Sequence, residues 1–195
     1  MKFPVRILPL VAVALLLCAC GPGNNVRLLT PPPLDNTVLP APNAPRVSVV
    51  NFQDRREQSA SIGTRRDGSA FVTNGNACEW ISRALADELA RHGLQVTYAS
   101  TANEGRLGNP DYLVTGQLDQ LWLKENSAMD LSTMIRVNCT LANRKGRIWT
   151  ETINASQNRS TLPSGSAAEN ILLDTMRDLV KPMAQKIINS IENKK

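Results

Sequence analysis

The chain has 195 residues, a formal net charge of +5, 42% hydrophobic residues and 4% aromatics. This is enough for one domain with its own core. So mild a charge with so few rings speaks against a nucleic-acid interface, which needs a basic stripe and stacking aromatics. A single histidine removes most metal and general-base constellations.

Lys2 and Arg6 precede an apolar run from Ile7 to Leu17 that stops at Cys18-Ala19-Cys20-Gly21. The run falls short of the roughly 20 residues a bilayer-spanning helix needs. Its basic flank and small-residue exit are those of a cleaved lipoprotein export signal. Cys20 is the predicted lipidation site, because small Ala19 precedes it, whereas Cys18 follows bulky Leu17. Residues 1–19 are then the signal peptide, and their removal lowers the formal charge to +3. Gly21 stands where an aspartate would hold the protein at the inner membrane. The address is therefore the periplasmic face of the outer membrane, through a lipid anchor.

Residues 20–45 read as the lipidated cysteine and a linker, with seven prolines between Gly21 and Pro45 and no hydrophobic period. Proline-rich chain extends about 3.1 Å per residue, so this stretch predicts a semi-rigid tether reaching roughly 75 Å. Residues 46–195 form the folded domain. Arg46 to Phe52 is a β-branched strand, and a polar loop follows with turn signals at Ile62-Gly63 and Asp67-Gly68. Ala70 to Thr73 is a short edge strand. Asn76 caps a helix, with Glu79 completing a capping-box pair and Gly93 as a left-handed stop. Cys78, Ile81, Leu85, Leu89 and His92 recur on its inward face.

Leu94 to Tyr98 predicts a strand, and Thr101 to Pro110 a turn-rich connection. Asp111 to Lys124 is a long strand whose apolar phase changes near Asp119-Gln120, as at a bulge. Leu131 to Ala142 alternates cleanly, with Thr133, Ile135, Val137, Cys139 and Leu141 on one side. Asn143 to Gly146 is a hairpin turn into a strand from Arg147 to Gln157. The last element is an amphipathic helix from Ser166 to Asn193, with Ser166 and Glu169 as a capping box. Leu172, Met176, Leu179, Met183, Ile187 and Ile191 form its stripe, and Pro182 predicts a kink or a division. The fold class is α+β, a mixed and mostly antiparallel sheet with two main helices on one face.

Candidate chemistry is sparse. Cys78 and Cys139 both point into the core in an exported protein and are candidates for a disulfide, with two buried thiols as the alternative. His92 lies in the last turn of its helix, suited to the exposed carbonyls there. Arg55, Arg56, Arg65 and Arg66 make the densest charge cluster, a candidate anion-binding loop for phosphate or carboxylate. Interleaved acids point instead to internal ion pairs. Trp80, Trp122 and Trp149 fall within predicted elements. No nucleophile elbow, P-loop, dinucleotide fingerprint or C-x-x-C pair is present. The reading is non-catalytic, with no cofactor and no metal.

Asp54-Arg55-Arg56, Ile62-Gly63 with Arg65-Arg66 and Gly68, and Trp80-Ile81 with Leu85, Glu88-Leu89 and Gly93 form one set of short motifs. Pro110 to Gly116 and Gly146-Arg147-Ile148-Trp149 form another. Together they resemble the YajG-type bacterial lipoproteins over residues 46 to 190. The resemblance implies a single-domain outer-membrane lipoprotein and transfers no catalytic residue. The layout is also similar to periplasmic domains of curli-secretion-type pores and of lipoprotein activators of penicillin-binding proteins. The expected role is binding an envelope protein, lipid or glycan, with no nucleic-acid partner. The alternatives are an accessory lipoprotein of an envelope transporter and a subunit of an oligomeric channel.

Overall fold

The computed structural model describes residues 24–32, 39–161 and 164–193. The predicted signal peptide, the predicted lipidation site Cys20 and part of the predicted linker lie outside the described residues. Strands β1 (Arg46–Val50), β2 (Gln53–Asp54), β3 (Gly63–Thr64) and β4 (Ala70–Phe71) precede helix α1 (Ala77–Arg91) and β5 (Gln95–Ala99). Helix α2 (Ala102–Leu107), three long strands β6 (Tyr112–Ser127), β7 (Asp130–Asn143) and β8 (Gly146–Ser160), and helix α3 (Gly165–Glu192) complete the order. The eight strands form one mixed sheet that curls into a half-barrel, an α+β fold.

β6 is the spine of the sheet. Along one edge it pairs in series, and in parallel, with β1 (Val47 opposite Tyr112), β2 (Gln53 opposite Gln117) and β3 (Gly63 opposite Leu123). Its other edge carries β7, and β7 carries β8, both antiparallel. The β6–β7 register shifts between Leu118 and Gln120, where the sequence predicts its bulge. The extra residue moves the apolar phase from Val114 and Leu118 to Leu121 and Leu123, all buried.

α1 and α3 cover one face of this sheet. Ile81, Leu85 and Leu89 of α1 and the whole predicted stripe of α3 are buried against Val47, Val49, Ile135, Val137 and Leu141. Asn76 caps α1, its Oδ1 accepting from the amides of Cys78 and Glu79, and Gly93 turns the chain out at φ 79°. α3 runs without interruption through Pro182. Gly116 is fixed by packing: a Cβ there would stand 2.7 Å from the Phe52 ring.

Several expectations are corrected. The predicted semi-rigid tether is docked on the domain at residues 24–29. Val26 is 2% exposed and belongs to the core, with Leu28 and Leu29 packed against it. Asn25 forms a parallel bridge with Val72, and the Arg27 guanidinium grips Glu169 at 2.8 and 3.1 Å. That hydrogen bond holds Glu169 below the usual carboxylate range. The physical reason is that Asn24 to Leu29, between the prolines, carries apolar side chains for the core and backbone groups that both donate to and accept from the domain. Leu29 O accepts from the Trp80 indole, and Ala41 O and Pro42 O accept from the Gln95 amide.

Thr101 to Pro110 holds α2, started by the Thr101 hydroxyl accepting from the Glu104 amide. Gly63, read as a turn, begins β3. Ser164 and not Ser166 caps α3, since Glu169 is taken by Arg27. Glu79 turns to Arg83 at 2.7 Å and leaves the capping box open. His92 is exposed, 3.7 Å from Glu88, and does not share the inward stripe.

Candidate functional site

The four arginines of the candidate anion-binding loop are separated by the fold. Arg55 donates its amide to Leu118 O, while Arg66 donates its amide to Glu125. The two pairs therefore meet β6 about six or seven residues apart, roughly 20 Å at strand spacing. Arg56 is a structural clamp with its side chain 8% exposed. It forks onto both Asp54 oxygens at 2.8 and 2.9 Å and donates to Ser59 O and Ser61 O. Its hydrogen bonds hold Asp54 below the usual carboxylate range. Arg65, 13% exposed, meets Glu125 and Asn24 and lies over the Phe71 ring. Arg55 and Arg66 are exposed, and among the described residues neither guanidinium has a polar partner.

Cys78 and Cys139 are free thiols, so the expected disulfide is corrected. Cys78 sits in the first turn of α1, within range of the Asp54 and Arg56 charges, and Cys139 lies in the middle of β7. Sharing a core is a weaker condition than the close Cβ approach that a bridge requires. Burial pushes Cys78 up to about 11 and Cys139 up to about 12. Neither is a nucleophile at neutral pH.

The uncovered face of the β6–β7–β8 ribbon carries a different chemistry. Its cross-strand rows are Thr115–Thr140–Thr150, Gln117–Asn138–Thr152, Gln120–Arg136–Asn154 and Trp122–Met134–Ser156. The hydroxyls of Thr140 and Thr150 lie 2.7 Å apart. Where β1 and β5 end and α2 begins, a crevice of about 620 Å³ opens onto this face, lined by Asn51, Thr101, Gln117, Asn138, Arg147 and Thr150. Ligands of parallel strands gather at such carboxyl ends. These groups donate and accept hydrogen bonds and carry one guanidinium but no carboxylate. The crevice offers hydrogen-bonding groups and no proton-transfer pair.

A second depression of about 370 Å³ lies between the Arg55–Ser61 loop and the bulge, reaching Asp119, Gln120 and Trp122. Trp122 is half-buried on the open face and lines this depression. The bulge is the cause, because one extra residue sends Trp122 to the open face while Leu121 and Leu123 go inside. Trp80 and Trp149 are spent on structure, their indoles donating to Leu29 O and Ser190 Oγ. Among the described residues no group of three or more His, Cys, Asp or Glu side chains is placed to hold a metal ion. No helix among them is long and apolar enough to cross a membrane.

No family model and no curated protein matches the sequence. Solved structures do match the fold. Protein XCC0632 from Xanthomonas campestris, of the DUF330 family, superposes with a TM-score of 0.62 at 11% identity, over 87% of this chain and 97% of its own. An uncharacterized protein superposes at 0.54 with 11% identity, over 76% and 95%. The lipoprotein GNA1162 from Neisseria meningitidis is a looser likeness, 0.40 at 14% identity over 76% and 99%. The chain thus has the α+β fold seen in the DUF330 protein.

Proposed function

We infer that this chain is a non-catalytic, lipid-anchored protein of the bacterial envelope, acylated at Cys20 and held at the periplasmic face of the outer membrane. The observation that carries it is the export signal, in which a basic flank and a short apolar run end at Ala19-Cys20. The fold supports the non-catalytic part. Its thiols are buried and protonated, and its histidine is placed beside Glu88. The YajG-type resemblance points to the same class of lipoprotein. An envelope partner or polar ligand is best received by the open face and its crevice, where hydroxyl, amide and guanidinium groups converge.

The test is metabolic labelling with radioactive palmitate, followed by density separation of the membranes. The intact chain should take up label and travel with the outer membrane. Cys20→Ser should lose the label, and Cys18→Ser should keep it. Label that survives in Cys20→Ser would overturn the assignment.

A further inference from the structure

Asn24 is pinned to the folded domain. Its carbonyl accepts from the Val72 amide at 2.9 Å, and its Oδ1 accepts from Arg65 Nη1 at 3.0 Å. Val26, two residues on, donates to Val72 O at 2.8 Å and is buried in the core. Four residues separate Asn24 from Cys20. A trans chain covers at most about 3.6 Å per residue, so an acyl group on Cys20 hangs no more than roughly 14 Å of backbone from Asn24. The tether that composition suggests is a short leash.

The point from which the leash leaves is also set. The Asn25–Val72 bridge is parallel, and Asn24 Oδ1 accepts from Arg65, so Asn24 lies beside the β3–β4 turn. Thr64 pairs with Lys124, and the Arg66 amide bonds Glu125, which places that turn near the β6–β7 hairpin tip. Met129, at the tip, is 54% exposed. Lys124 and Arg66 are exposed toward the same end of the ribbon.

We propose that this end of the domain rests on the phospholipid surface that holds the anchor, with Met129 at the headgroup boundary and Arg66 and Lys124 facing lipid phosphates. The proposal rests on acylation at Cys20. The acids at this end are engaged within the domain, Glu125 by Arg65, Asp67 by Ser69 and Asp130 by Ser160, so an exposed apolar side chain and two cations are what it offers to an interface. The ribbon then stands away from the membrane. The β6 strand of 16 residues spans about 50 Å at strand spacing. The turn at Arg144-Lys145 therefore points outward, and the polar open face rises along the ribbon between the two ends.

The experiment uses the full lipidated chain in vesicles of phosphatidylethanolamine and phosphatidylglycerol that carry a nitroxide on the headgroup. A small fluorophore is placed on Met129→Cys or on Lys145→Cys, with the unsubstituted protein correcting for Cys78 and Cys139. The mass of the N-terminal peptide is read first. A chain without an acyl group would overturn the acylation and the proposal together. With the acyl group present, the label at position 129 should lose most of its fluorescence and the label at 145 should keep it. Equal quenching at the two positions, or none at either, would overturn the membrane-resting orientation while leaving the anchor intact.

Discussion

The two faces of β7 differ sharply in what covers them. On the covered side Leu131, Thr133, Ile135, Val137, Cys139 and Leu141 are all buried under the helices. On the other, Ser132, Met134, Arg136, Asn138 and Thr140 are half-buried in polar rows that no helix covers. One strand thus serves two purposes, because its side chains alternate every residue. Stability resides on one face, and the groups free to recognise a ligand reside on the other.

The sharpest test of that division pairs Ile135→Ala with Asn138→Ala. The first removes a fully buried side chain and should cost about 3–4 kcal/mol. The second, on the open face, should stay within about 0.5 kcal/mol. Urea denaturation reads both, and equal losses would break the comparison. Gly116→Val, on the covered side of β6, would drive a side chain into Phe52 and should cost about 1–3 kcal/mol. Val26→Ala asks whether the leader belongs to the covered core, and a loss of about 1.5 kcal/mol is expected for two buried methyl groups. A leader that merely tethers would show none.

The thiols supply a pH test. In the unfolded chain they ionise near 8.5, while in the folded protein burial keeps them protonated to about 11 and 12. The folded state then binds more protons, so their contribution is complete below about pH 8.5 and falls as pH rises toward those values. Thermal unfolding of Cys139→Ala should show a shallower alkaline decline than the parent. Denatured without reductant, the parent should titrate as two free thiols.

The smallest effect is a gain. Thr133 Oγ1 is buried without a hydrogen-bond partner. A hydroxyl stripped of water and left unpaired is a cost, so Thr133→Val should raise the melting temperature slightly. A fall would mean that the hydroxyl has a role in packing the covered face.

Much of this fold was legible because its signals are periodic and local. The alternation of β7, the α3 stripe, the Asn76 cap, the Asn143–Gly146 turn and the bulge near Asp119 all follow from residues within a few positions of one another. Apolar side chains must face away from water, and each backbone geometry permits one repeat. The predicted export signal is local in the same sense.

What only the tertiary structure decided depends on pairs distant in the chain. Arg27 meets Glu169, Asn24 meets Arg65 and Val72, Arg65 meets Glu125, and Leu29 meets Trp80. These contacts turned a proline-rich tether into a bound strap, moved the α3 cap and divided the arginine cluster. The same fold leaves Cys78 and Cys139 as separate thiols. Periodicity tells each residue which way to face, but a partner is set by which surfaces the sheet brings together. That is a property of the folded chain, because the energy of each such contact exists only once the intervening residues have been ordered.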